Sequence, residues 1–495
     1  MSEVTEQKSN DEITESLSTR VVKSGLWVFA LRMLNRGLGF IRTIVLARLL
    51  APEDFGLLGI ALLSISTLET FSKTGFDSAL IQKKENVESY LDTAWTVSAL
   101  RGIVLFSILL FSAPLIASFF NSPEATLIIR VIALYTLFAG LQNIGILFFQ
   151  KELEFHKQFS YEFSATLVDL SVAITLAFIL RNVWALVWGG LAASFVRLVL
   201  SYVLHPHRPR IKIDREGFQE LFGFGKWVFT SSILVFLVTQ GDDILVGKML
   251  GVTALGLYQM AYTLSNLPAT EVTHMISKVT FPAYSKFQED LPRLSEAYLK
   301  VLQFTTFVSF PLAGGIFIFA SDFIRIFLGD KWIPMVPAVQ VLVLAGLVRS
   351  IAATTGPIFY ATRKPRIDTI WQIVRLLVFS AFIYPLTLRL GILGTSIAVF
   401  LSIFIATIGF IMQTIKIIKC DINRLAKIIL LPFFKTAIVL LSVIIYYDYT
   451  IVISGIHLLL VSVLFLSYYL LLTYFAERTF DYRIYSLIKK TFAQL

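Results

Sequence analysis

The chain has 495 residues, a net charge of +10, 56% hydrophobic and only 15% charged side chains, and a mean hydropathy of +0.75. A soluble globular protein, with a charged fraction of about 25%, is excluded, and the bilayer is the solvent to reason with. Apolar stretches of about 20 residues recur, long enough to cross a hydrocarbon core about 30 Å thick as helices, whereas a barrel would show alternating segments of about ten.

Residues 1–23 carry Glu3, Glu6, Asp11, Glu12 and Glu15, with no basic start and no short apolar core before a small-residue cleavage site. They read as a cytoplasmic tail, and no secretory signal is expected. Helices are predicted at about 24–49, 55–80, 93–120, 125–149, 161–181, 183–204, 222–249, 254–283, 296–319, 334–360, 368–390, 392–417, 426–448 and 451–475. The predicted fold is an all-α integral membrane protein with about fourteen transmembrane helices. Inward segments hold Lys83, Lys84, Lys151, Lys157, Arg208, Arg210, Lys212, Arg363, Lys364, Arg366, Lys416, Lys419 and Arg478, against Arg181, Arg325, Lys331 and Arg389 outside. This positive-inside bias predicts that both termini are cytoplasmic, and it makes nucleic acid an unneeded partner for the basic charge.

An internal repeat organises the helices. Gly25-Leu26-Trp27-Val28-Phe29 matches Gly225-Lys226-Trp227-Val228-Phe229, and the ungapped register continues through Leu50/Leu250 to Ala61/Ala261. The copies begin six helices apart, so both have the same orientation in the membrane, as in carriers built from duplicated lobes that work by alternating access. The expected domains are the tail 1–23, an N-lobe 24–221, a C-lobe 222–419, and 420–495 with two further helices and a cytoplasmic end.

Soluble-enzyme signatures are missing. Gly223-Phe224-Gly225-Lys226 lacks phosphate-loop spacing, the five histidines are dispersed, and Cys420 is the only cysteine. No catalytic residue, metal site or cofactor is therefore expected. The outward loops are short, which weighs against an enzyme needing an external substrate platform.

Charges inside the predicted spans carry the functional reading, because an ionised side chain at membrane depth by default faces a cavity or a partner. Arg32 and Arg36 share a face of the first helix, with Asn35 beside them and Arg42 further along; Arg197, Arg349 and Arg375 lie within later spans. Arg32, Arg36, Arg349, Arg375, Arg197 and Asn35 are the candidate substrate-binding residues, in a basic cavity. Arg48, Arg101 and Arg130, nearer to helix ends, are expected to snorkel. Glu69, Asp169, Asp242, Asp243 and Glu271 form a second set, able to bind a coupling proton or sodium ion or to serve in structural ion pairs, Glu69 with Arg36 among them. Pro268, Pro311, Pro357 and Pro385 interrupt second-half helices.

Arg48-Leu49-Leu50-Ala51-Pro52-Glu53-Asp54-Phe55-Gly56, Ala79-Leu80-Ile81-Gln82, Phe281-Pro282-Ala283-Tyr284-Ser285 and Gly329-Asp330-Lys331-Trp332 resemble the bacterial polysaccharide flippases of the multidrug/oligosaccharidyl-lipid/polysaccharide (MOP) exporter superfamily, in particular the colanic-acid-exporter-like branch. The resemblance runs over nearly the whole chain. It implies two six-helix lobes in a V shape plus two C-terminal helices, the bacterial inner membrane, and no enzymatic activity. The cargo it implies is an oligosaccharide on an undecaprenyl pyrophosphate carrier, with membrane lipids and the polysaccharide polymerase and chain-length machinery as partners. Forked, permanently charged arginines suit pyrophosphate oxygens. A cation-coupled multidrug extruder of the same superfamily and a membrane polymerase or ligase acting on lipid-linked glycan are the alternatives.

Overall fold

The computed structural model describes residues 33–72, 88–151, 154–212, 236–237, 239–266, 284–285, 287–449 and 454–480. Their regular elements are helices throughout. Among the described residues nine segments are long and apolar enough to span a membrane, so the chain is a multi-pass membrane protein. Parts of the predicted spans 24–49, 55–80, 222–249 and 254–283 lie outside the described residues, and the expected number of about fourteen is not reached from the described residues alone.

The chain divides into two compact units, Met1–Gln240 and Gly241–Leu495. In the first, α1 (33–49) gives way at Leu50–Ala51 to α2 (Pro52–Phe71). Pro52 sits in the first turn, where a missing N–H costs nothing, and the Asp54 carboxylate accepts the Ala51 N–H at 2.8 Å. The conspicuous Leu-Ala-Pro-Glu-Asp run is thus a helix start. Next come α3 (Glu88–Phe119), α4 (Ala125–Ile132) and α5 (Leu134–Leu141), then a 3-10 turn (Ile144–Ile146) and α6 (Leu147–Lys151). Two further long helices of the unit are α7 (Phe155–Leu180) and α8 (Trp184–Leu204). Helices α3 and α5 cross glycine to glycine: a Cβ on Gly102 would stand 2.9 Å from the Gly140 Cα, a distance real Cβ atoms do not reach.

The predicted helix 125–149 is therefore broken. Gln142 and Asn143 are extended (ψ 145° and 115°). The buried Asn143 side chain accepts the Gly145 N–H at 3.0 Å and donates to the His207 carbonyl at 2.7 Å, while its backbone N–H donates to Ser201 Oγ at 2.9 Å. A side chain that satisfies local backbone in this way competes with the helix ladder.

The second unit takes up the chain within α9 (239–250), which is followed by α10 (252–266), with Gly251 (φ 86°) between them. This boundary falls about 200 residues after the one between α1 and α2, in register with the sequence repeat. Helix α11 (Leu291–Phe323) starts from Asp290, whose carboxylate accepts the Arg293 N–H at 3.1 Å. A π-turn and a 3-10 turn around Gly329 (φ 101°) bury Trp332 completely. Then come α12 (Val336–Ala352) and α13 (Gly356–Ala361). Residues 353–355 break the predicted helix 334–360, because Pro357 lacks the N–H a continuous helix would need there. By contrast Pro311 and Pro385 stay inside helices.

The long α14 (Pro365–Ile418) is two arms folded at Gly391 (φ 60°, ψ −139°), the residue between the predicted helices 368–390 and 392–417. The fold back is sharp: Thr387 and Thr395 share a hydroxyl hydrogen bond of 2.8 Å, and the Trp371 ring lies against Gly409. Helices α15 (Ile422–Tyr449) and α16 (Gly455–Phe480) complete the unit. Lys435 of α15 is buried, donating to Thr473 Oγ1 at 2.9 Å beneath the Tyr469 ring at 5.0 Å, and Tyr469 Oη donates to the Phe307 carbonyl at 3.1 Å. Those contacts tie α11, α15 and α16 together.

Candidate functional site

In the first unit the intramembrane charges are mostly matched. Arg42 on α1 meets Asp169 on α7 as a close ion pair, Nε to Oδ2 at 2.8 Å and Nη2 to Oδ1 at 2.9 Å. Gly189 leaves the room for this pair, since a Cβ there would lie 2.9 Å from Asp169 Oδ1. Arg197 stands 3.5 Å from Glu162. Asn35 is half-buried with its Oδ1 unpartnered among the described residues, and Arg36 is exposed on the same helix. Arg32 and Glu271 lie outside the described residues.

Glu69 lines a cavity of about 230 Å³ that opens at the break after α5, with Arg101, Gln142 and Asn143 among its walls. Arg101 does more than snorkel. It donates to the Glu69 carbonyl and to Ser72 Oγ, both at 3.0 Å, tying α3 to the end of α2.

The second unit gathers its predicted residues. Asp242 and Asp243 occupy α9. Asp242 is 3% exposed, accepts the Tyr258 hydroxyl at 2.7 Å and the Asp243 N–H at 3.1 Å, and lies within electrostatic reach of Arg349. Asp243 is hydrogen-bonded by the Gln259 side chain, with Oδ1 left unpartnered among the described residues. Arg349 occupies the last turn of α12, where the helix dipole favours a cation, and not mid-helix as the unbroken span 334–360 implied. Its Nη1 donates to Asn266 Oδ1 at 3.0 Å, and its guanidinium stands 5.6 Å from the centre of the Tyr262 ring, within cation–π range.

Arg349 and Arg375 share a cavity of about 580 Å³ built wholly within this unit. Three helical stripes line it: Arg349, Ala353, Gly356 and Tyr360 across the α12–α13 break; Asp368, Gln372 and Arg375 on the first arm of α14; Ile403, Thr407 and Phe410 on the second. The buried Nε atoms of Arg349 and Arg375 have no hydrogen-bond partner among the described residues. Two guanidiniums with spare donors in one pocket are equipped to hold a multiply charged anion. Tyr360, Asp368 and Gln372 were missed from sequence because they stand at the ends of predicted helices, where polar residues are unremarked. Their signal was the spacing 368, 372, 375, which puts Asp, Gln and Arg on one helical face.

Comparison with known proteins places this geometry. A protein-family model described as "Polysaccharide biosynthesis protein" matches residues 45–337, more than half of the chain. The chain is 27% identical to the lipopolysaccharide biosynthesis protein WzxC of Escherichia coli strain K12, over 76% of each protein. Among solved structures, it is similar to the lipid II flippase MurJ in an inward closed conformation (TM-score 0.72, 16% identity, 92% of this chain and 99% of that one). It is also similar to an inward-facing multidrug resistance MATE family transporter of the MOP superfamily (TM-score 0.60, 17% identity, 77% of this chain and 94% of that one). Those two likenesses establish the fold, which serves dissimilar cargoes and does not choose between them.

Proposed function

The chain belongs to the polysaccharide biosynthesis protein family, and from that premise we propose that it is a flippase. It carries undecaprenyl-pyrophosphate-linked oligosaccharide repeat units from the cytoplasmic to the outer leaflet by alternating access, in the service of an exported or surface polysaccharide. The observation that carries the cargo assignment is the pair Arg349 and Arg375 in one cavity, each with an unpartnered buried Nε among the described residues. A pyrophosphate brings negative charge into a low-dielectric slab, and fixed guanidiniums replace the water it loses. The lipid tail stays in the bilayer. A cationic drug would meet repulsion at the same place, so the multidrug reading is not favoured.

In this reading the protein sits in a bacterial inner membrane with both termini cytoplasmic, does no covalent chemistry, and hands its cargo to a polysaccharide polymerase and its chain-length machinery. Asp242 and Asp243 are the coupling carboxylates, for a proton or a sodium ion, since they are adjacent on α9 and Asp242 is buried within electrostatic reach of Arg349. Asp169, paired with Arg42, has a structural partner already.

The test is translocation of a labelled lipid-linked oligosaccharide in proteoliposomes. Arg349→Ala and Arg375→Ala, at equal amounts of folded protein, are expected to lower the initial rate by about tenfold or more, the worth of a hydrogen bond to a charged group. Arg349→Lys, which keeps the charge and loses the fork, should fall between. Wild-type rates in both alanine variants would sink the assignment.

A further inference from the structure

The basic cavity contains one carboxylate, and its position makes no sense for a phosphate. Asp368, in the first turn of α14, lines the same pocket as Arg349 and Arg375. It makes no ion pair there. Its partners are neutral: the Tyr360 hydroxyl donates to Oδ2 at 3.2 Å, and the Gln372 side chain hydrogen-bonds it too. No lysine or arginine among the described residues closes on it within salt-bridge distance. A lone negative charge here repels an anionic ligand. If the pocket served the pyrophosphate alone, Asp368 would only weaken it.

A carboxylate accepts hydrogen bonds at two oxygens, an amide both donates and accepts, and a phenol does either. Together they form a set matched to vicinal hydroxyls, whose protons seek strong acceptors and whose oxygens seek donors. The three come from two elements: Tyr360 from α13, Asp368 and Gln372 from successive turns of α14. Seven residues separate Asp368 from Arg375, about 10 Å along the helix axis, so the neutral-ligand end and the cationic end are distinct. A cavity of about 580 Å³ lies within the range of small-molecule sites.

We propose that Asp368, Tyr360 and Gln372 form a sugar-hydroxyl subsite, reading the first sugar attached to the diphosphate that Arg349 and Arg375 hold. This rests on the flippase reading above and adds discrimination among glycans to it. Tyr360 is exposed and Asp368 and Gln372 are half-buried, so a ligand that lacks the hydroxyl forfeits hydrogen bonds to a charged acceptor and its neighbours and binds more weakly for it. Asp368 serves both ends at once: it accepts hydroxyl protons when a sugar is present and disfavours a bare lipid diphosphate when none is.

The experiment measures binding of four probes to the purified full-length protein: polyprenyl diphosphate, and the same lipid carrying glucose, galactose or N-acetylglucosamine. The wild type is expected to bind at least one glycosylated probe about tenfold more tightly than the bare lipid, as hydrogen bonds to a charged acceptor allow. Asp368→Asn should bring that ratio close to one while binding of the bare lipid holds or strengthens. Tyr360→Phe, which keeps the ring and loses only the hydroxyl, should lower the ratio in the same direction and covers the case of an Asp368 variant that does not fold. Arg349→Ala should weaken all four probes together. Equal binding of all probes by the wild type, or an unchanged ratio in folded Asp368→Asn and Tyr360→Phe, overturns the subsite while leaving the flippase reading intact. Failure of every diphosphate to bind would instead overturn that reading.

Discussion

Arg42 and Asp169 show what it takes to keep charge inside a membrane helix bundle. The two side chains meet as a close ion pair with one hydrogen bond, from Nη2 to Oδ1, each a little over one-fifth exposed. Removing either leaves the other charge desolvated without its partner, so Arg42→Ala or Asp169→Asn should destabilise the first unit by about 1–3 kcal/mol. The double replacement Arg42→Met with Asp169→Leu should recover much of that loss, since two apolar groups need no compensation. Melting of the detergent-solubilised protein measures all three, and a double variant as unstable as the sum of the singles would show the pair to be uncoupled. The sequence made Arg42 visible as a charge in an apolar run, yet Asp169 is 127 residues away and which helices adjoin is not written in either span. Arg349 and Arg375 were legible for the same reason as Arg42. Asp368 and Tyr360 were not, because a polar residue at a helix end violates no expectation and so raises no signal.

At the scale of elements, the hydropathy runs located spans well and their interruptions unevenly. The break at Gly391 was readable, since a glycine divides two long apolar runs, and its φ of 60° with ψ of −139° is open to glycine alone. Gly391→Ala is therefore expected to cost about 1–3 kcal/mol, read as a lowered melting temperature. The break at 142–143 was hidden, because averaging over a window of about 20 residues erases one asparagine, whereas Pro357 marked the interruption at 353–355 without fixing where the helix would end. Yet each cavity described above opens at one of these breaks. Non-helical backbone at membrane depth survives only where it lines a cavity or is buried in protein. Asn143→Leu removes the two side-chain hydrogen bonds that hold the first break, and should cost about 1–3 kcal/mol while leaving Arg349-dependent cargo binding unchanged. A loss of binding equal to that of Arg349→Ala, in a folded variant, would show that the first break is part of the cargo site.

For the whole molecule, the proposed coupling would join a gradient to the state of the proposed cargo site. Asp242 lies within electrostatic reach of Arg349, so a cation bound at the α9 carboxylates and an anion bound at the guanidinium would act on each other through their charges. Transport by the wild type is expected to rise when the appropriate proton or sodium gradient is imposed across the liposome. Asp242→Asn and Asp243→Asn should each flatten that response, and gradient dependence retained in both would assign coupling elsewhere. The repeat, the span order and the basic excess were readable from the chain because each is a property of whole helices. Gly391 bears on how one of its cavities is walled. A single residue joins the two arms of α14, and the hydroxyl bond between Thr387 and Thr395 closes the apex, so one hairpin brings Arg375 and Phe410 to the same cavity from residues 35 apart in the chain.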